Sequence, residues 1–163
     1  MALASLISGP YSGTWNSTDV GQQEDGFRLR QQVNKQTVRS NSYGDSAIDA
    51  VYRGGDCFLI FTGIEFLVMK AVMWPYGAFG VMGQVGRLDV GSSIAQAAVL
   101  TAVSGTTAYS ASGAVATLTA TQSIVDENLN AEMAFASRLR VVPVTMRLYP
   151  YTSSSNTVWF TVT

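Results

Sequence analysis

Three stretches of the chain alternate apolar and polar residues with a period of two. In the first, Phe27, Leu29 and Val33 stand against Arg28, Arg30 and Gln32. In the second, Val142, Val144, Met146 and Leu148 stand against Thr145 and Arg147, and in the third Val158, Phe160 and Val162 alternate to the C-terminal end. Side chains leave a strand on opposite faces in turn, so each run predicts a half-buried β-strand. Pro143 lacks an N–H and places the second strand at a sheet edge, or itself at the strand's start. A different pattern covers Cys57 to Phe66, where Phe58, Leu59, Ile60 and Phe61 are consecutive and Glu65 is the only carboxylate. A run apolar on both faces predicts a strand covered on both sides, the central one of the sheet. Shorter strands are predicted at Ser12–Trp15, Gln96–Val103 and Val115–Thr121. Turns are predicted at Asn16–Asp19 and over Tyr149-Pro150-Tyr151 and Thr152–Asn156, and a Ser/Gly/Thr/Ala loop at Ser104–Gly113.

Helical spacing is confined to two places. Phe66 to Met73 predicts two turns ended by Trp74-Pro75. Ile124, Leu129, Met133 and Phe135 predict a short helix over Ser123–Arg138, capped by Ser123 with Asp126 and Glu127 in its first turn. Gly77, Gly80, Gly83 and Gly86 recur every three residues outside any strand–GxGxxG–helix setting, which predicts a close-packed irregular backbone and gives no support for phosphate binding. Residues 1–11 predict an arm stopped at Gly9-Pro10. Asn34 to Gly55 shows no sustained period and predicts a long loop, beyond the length of an idle connection. Tyr43, Ile48, Val51 and Tyr52 give it groups to bury, so a neighbouring subunit is expected to order it. The fold class that follows is mainly β, with one short α-helix and a long inter-subunit loop, in a single domain over residues 1–163.

Composition points the same way. Apolar residues make up 47% of the chain and charged residues 13%, about half the usual share of ~25%. So little charge leaves neutral and apolar surface that calls for partners. The net charge of −1 includes no basic stripe for counterion-release binding to nucleic acid. Arginine far outnumbers lysine, as at interfaces. Cys57 is the single cysteine, so no intrachain disulfide or CxxC site exists, and its apolar neighbours make it a small buried hydrophobe. The absence of histidine removes the usual general base, metal ligand and triad partner. The carboxylate pairs Asp45 with Asp49 and Asp126 with Glu127 have structural explanations in a loop and a cap. Asp45, Asp49 and Asp56 do not match the spacing of an EF-hand loop. The expectation is no enzyme, no metal and no cofactor. The apolar run from Cys57 to Val85 is interrupted by Glu65, Lys70 and Pro75, against a membrane span, and MALASLISGPYSG lacks the basic start of a secretory leader.

The segment SNSYGDSAIDAVYRGGDCFLIFTGIEF combines a polar loop, Gly-Asp, Ile-Asp, a glycine, an apolar strand and a glutamate. In this it resembles the tail tube proteins of tailed bacteriophages. SRLRVVPVTMRLYPYTSSSNTVWFTVT, with its Val-Pro-Val run and Tyr-Pro turn, is similar to the closing strands of that family. Together the two cover about a third of the chain. The resemblance implies a β-sandwich or partial barrel with one helix, in a structural virion protein whose hexameric rings stack into a hollow tube, assembled in the host cytoplasm. Its partners would be further copies of itself and other tail proteins, with DNA only as passing cargo and no membrane. The family's long loop reaches adjacent subunits, which maps to about Asn34–Gly55. Arg39, Tyr43, Asp45, Asp49 and Arg53 are the subunit-interface candidates, tyrosine and arginine as anchors and the carboxylates for register. A tail terminator, a baseplate ring protein and a type VI secretion tube subunit would share the composition. A monomeric β-sandwich binding module, for instance for carbohydrate, is the alternative of a different class.

Overall fold

The computed structural model describes residues 10–44, 46–65, 72, 95–103, 117–126, 141–153 and 156–163. Ten strands run in chain order: β1 (Tyr11–Trp15), β2 (Thr18–Asp19), β3 (Arg28–Ser40), β4 (Ser46–Gly63), β5 (Gln96–Ala102), β6 (Thr117–Val125), β7 (Val142–Leu148), β8 (Tyr151–Ser153), β9 (Asn156–Val158) and β10 (Thr161–Val162). The fold is mainly β, as the alternating runs predict.

One antiparallel sheet has the order β2-β1-β5-β6-β7-β4-β3, with β10 added beside β6. It curls on itself. The segment leaving β2 donates from Val20 N–H to the Gly13 carbonyl of β1 and then reaches β4. There Gln23 bridges Gly63, Glu24 N–H donates to the Thr62 carbonyl and Ile64 N–H to the Gln22 carbonyl, each 3.0 Å. Residues 20–24 thus join the two ends of the sheet into a partial barrel. The C-terminal residues work along β6 in the same way. β7 pairs with Ser123–Val125, β10 pairs with Leu118 and Thr119, and Thr117 and Thr163 exchange two hydrogen bonds at 3.0 Å. The small hairpin of β8 and β9 fills the interval between them.

Cross-strand partners share a face, so the register states which residues meet inside. Cys57 opposes Leu148, Leu59 opposes Met146 and Phe61 opposes Val144. With Trp15, Val20, Ala98, Leu100, Leu118 and Ala120 they form one buried cluster, and Tyr11, Phe27, Trp159 and Phe160 pack against it. Phe27 and Phe61 meet with ring centroids 5.2 Å apart at 54°, a tilted geometry that suits aromatic quadrupoles. The Trp15 indole N–H donates to the Ser123 carbonyl at 3.0 Å, and Ser123 Oγ donates to the Gln96 carbonyl at 2.8 Å. The polar groups buried here are therefore satisfied, as a closed interior requires.

Several expectations change, among them the closing strand through Val158, Phe160 and Val162, which is interrupted at Trp159 and Phe160 between β9 and β10. The segment 34–55 is not a loop: it is the outer half of an antiparallel hairpin made by β3 and β4. The strand beginning near Phe27 is not half-buried either, because Leu29 and Val33 are exposed. Ser123 does not cap a helix. It lies in β6, fully buried, with Ile124 and Val125 buried beside it, and its hydroxyl is committed to Gln96. Asp126, expected in that helix's first turn, instead donates its N–H to the Thr145 carbonyl at 2.8 Å. The rest of that predicted helix from residue 127, the predicted helix over Phe66–Met73 apart from a helical and buried Val72, the glycine run, the Ser104–Gly113 loop and most of the N-terminal arm lie outside the described residues. Pro143 stands second in β7 and pairs towards β4, while β6 reaches only Met146–Leu148. It stands at the strand's start, where among the described residues β7 is paired on one side only.

The Trp15 bond ties β1 to β6 across the interior, which makes it a sensitive probe of closure. Trp15→Phe keeps most of the ring but leaves the Ser123 carbonyl without its donor. The expected loss is about 2 kcal/mol, read as a lower urea midpoint at unchanged slope.

Candidate subunit interface

β4 changes character along its length. From Cys57 to Gly63 it pairs with β7, and with β3 as far as Ile60, with residues buried on both faces. From Ser46 to Arg53 it pairs only with β3, and every described side chain is exposed. β3 follows it along the whole way, 13 residues, about 40 Å at the usual rise. The outer part of this hairpin runs free of the barrel as a two-stranded ribbon. At its tip a single 3-10 turn, Asn41–Tyr43, is capped by Ser40, whose Oγ accepts from Ser42 N–H at 3.3 Å.

Two bulges shape the ribbon. Register slips between Val33 and Lys35 and again between Val38 and Arg39, each time with the extra residue on β4. The first bulge uses Gly54 at φ +109°, a conformation that side chains other than glycine resist. The next residue, Gly55, lies so close to β3 that a Cβ there would stand 2.6 Å from the Gln32 carbonyl oxygen, with the Trp159 ring at 3.1 Å. Trp159 thus packs over the root of the ribbon. The two bulges also change which residues share a face. Cys57, Leu59 and Phe61 lie on one side of β4; beyond Gly54, Tyr52 and Ala50 continue that side and Val51 and Asp49 take the other.

The surface so made is apolar for one in contact with water. Val33, Val38, Ile48, Val51 and Tyr52 are all exposed, Val51 at 51% and Tyr52 at 58%. Of the five interface candidates, Arg39, Asp49 and Arg53 lie on this ribbon. Register places Arg39, opposite Ala47, and Asp49, opposite Val38, on opposite faces, so the two do not pair with each other. Asp49 accepts from Ala50 N–H at 2.7 Å. Arg53 lies at the first bulge, near the ribbon's root and about 17 Å from the level of Arg39. Tyr43 belongs to the tip turn, with its side chain outside the described residues, as is all of Asp45. The candidates are therefore spread over the arm rather than gathered into one spot.

Sequence reasoning missed the polar cluster at the arm's root. Arg147 on β7 donates to Asp56 Oδ1 at 2.7 Å and to Asp126 Oδ1 at 3.2 Å. Its guanidinium lies 5.0 Å from the Phe58 ring centroid, and that of Arg30 lies 5.0 Å from the same centroid. Register explains the meeting, since Arg30, Phe58 and Arg147 are consecutive cross-strand partners on the outer face of β3, β4 and β7. The available signal was the polar half of the two alternating runs, Arg28 and Arg30 in one and Arg147 in the other. Among the described residues no three Asp, Glu or Cys side chains are placed to hold a metal ion. On the inner face, burial pushes the Cys57 thiol from its ordinary 9.0 up to about 11, opposed by a hydrogen bond from the backbone of Phe58.

No family model matches the chain, and no curated protein matches it.

Two measurements test this part of the molecule. Arg147→Met removes one partly buried cation from two carboxylates and is expected to cost about 2 kcal/mol. Arg30→Met removes only a largely exposed cation–π contact and is expected to cost at most about 0.5–1 kcal/mol. For Cys57 the folded pKa is raised, so the neutral thiol stabilises the fold below about pH 9. That contribution falls away between about pH 9 and 11 as the unfolded thiol ionises first, a loss of roughly 2–3 kcal/mol at one unit per 1.36 kcal/mol. Cys57→Ala should flatten this part of the stability–pH curve, and native protein should react with a thiol reagent only after urea is added.

Proposed function

We propose that the chain is the structural subunit of a phage tail tube. Copies associate into hexameric rings, and the rings stack into a conduit through which DNA passes without its bases being read. The protein is then a virion component with no catalytic role, and its partners are further copies of itself and the other tail proteins.

The observation that carries this reading is the exposed ribbon of β3 and β4 beyond Gly54. A lone two-stranded hairpin is at best marginally stable in water. This one exposes apolar side chains on both faces and carries interface candidates along its length. Neighbouring subunits that cover it would supply the burial it lacks, and a heterologous contact repeated from copy to copy gives closed rings or open tubes. Arg39, Tyr43, Asp45, Asp49 and Arg53 supply the anchors and paired charges of that contact. The low charge of the whole chain fits a protein whose working surface is covered by copies of itself.

Size-exclusion chromatography with negative-stain microscopy tests the proposal. Rings or tubes of constant diameter are expected, and a strictly monomeric species at high concentration would overturn it. The register supplies a matched variant. Lys35 and Tyr52 are cross-strand partners, so residues 36–51 can be replaced by Asn-Gly, which closes a two-residue hairpin between them. That variant should retain the barrel, with a strand signal in circular dichroism and cooperative unfolding, and should fail to assemble.

A further inference from the structure

β3 concentrates charge of one sign. Its 13 residues include Arg28, Arg30, Lys35 and Arg39 and no carboxylate. These are four of the chain's 10 Lys and Arg, leaving six against 11 Asp and Glu elsewhere. β3 is also the last strand of its sheet, and among the described residues nothing pairs with its outer side. The carboxylates of β4 are set one strand further in, about 5 Å from β3, and one of them, Asp56, is engaged by Arg147.

An open, extended edge invites pairing with a copy of itself about a two-fold axis. Here that pairing would bring eight cations together with no carboxylate in either strand, and like charges facing each other across strands destabilise a sheet. The edge is therefore selective. It rejects its own image and favours a surface of opposite sign.

Such a surface exists on the same chain. Residues 16–27 contain Asp19, Glu24 and Asp25 and no Lys or Arg. Glu65 joins them, its Oε1 accepting from Gln22 N–H at 2.9 Å. Within one copy this strip meets only the near end of β3, where Asp25 reaches Arg28 at 3.2 Å with both side chains more than half exposed. Lys35 lies seven residues further along the strand, about 23 Å away, beyond the reach of its own strip.

We infer that the outer part of the β3 edge docks on the acidic strip of a second copy, in a polar head-to-tail contact, and that its charge excludes a two-fold β3–β3 dimer. The inference rests on the self-assembly reading and specifies its surfaces. Each subunit offers a basic arm at one place and an acidic receiver at another, so every bound copy leaves one of each unfilled.

A charge swap tests it, with association followed by sedimentation velocity at fixed protein concentration. Lys35→Glu and Glu24→Lys should each weaken association about tenfold, and the double variant Lys35→Glu/Glu24→Lys should recover to within about threefold of the parent. Raising salt from about 0.05 to 0.5 M should weaken the parent at least tenfold or so, because exposed pairs are screened. Circular dichroism on each variant identifies any that fails to fold, and the salt series on the parent decides the matter without a variant. Single variants that associate normally, a double variant no better than the worse single, or salt-independent assembly would overturn the inference while leaving self-assembly intact. So would a Gln36→Cys variant that oxidises quantitatively to a disulfide-linked dimer. A parent that stays monomeric in low salt overturns both.

Discussion

The structure depends on β4 being one unbroken strand with two environments. From Cys57 to Gly63 it pairs with β7, and with β3 as far as Ile60, and carries much of the core. From Ser46 to Arg53 it is wet on both faces. Backbone pairing with β3 continues across the boundary, because buried and exposed strands alike must satisfy their N–H and C=O groups. The backbone ladder of the barrel therefore continues into the arm across the bulge at Gly54. An arm attached by a loop would lose conformational entropy on docking, at about 1–2 kcal/mol for each residue fixed. Residues already held in a ladder have given up that entropy before any partner arrives.

The boundary itself is built. Trp159 packs over Gly55, the bulge at Gly54 resets the face of each following residue, and Arg147 ties Asp56 of β4 to Asp126 beyond β6. These contacts come from distant parts of the chain and meet where the arm leaves the barrel. Trp159 belongs to the C-terminal residues, whose last strand is fixed to β6. The direction of the arm is thus set by the same elements that close the barrel.

How much was legible follows from periodicity. β1, β5 and β7 keep strict alternation or short β-rich runs, and each was read within one or two residues of its observed bounds. The outer hairpin was not, although Val33, Thr37, Val38, Ile48, Val51 and Tyr52 are good strand formers. Two extra residues on β4 break the alternation, so Tyr52 and Ala50 continue the face that Cys57 and Leu59 begin. A fixed period of two cannot register that shift, and the segment reads as aperiodic. The C-terminal end of β6 failed for another reason: Ser123, Ile124 and Val125 fit a capped helix locally, but tertiary pairing with β7 and the bond from Trp15 decide their conformation. The interface candidates rest on residue type and on the resemblance that maps the family's loop to residues 34–55. Their division between two faces of the arm needed the register.

Low overall charge and a strongly basic edge answer different needs. An apolar ribbon without charge would pair with any exposed strand, including its own copy, and the route would end in aggregation. A ribbon with charges of both signs along its edge would be largely self-complementary and would tolerate the two-fold arrangement. Cations of one sign on β3, with carboxylates gathered on residues 19–25 and Glu65, remove the symmetric solution and keep the polar one. In the proposed contact, burial of Val51, Tyr52 and Ile48 would supply the strength, and charge would determine which contact forms. With only 13% charged residues in the chain, placing four cations on one strand uses a large part of what is available for specificity at a single edge.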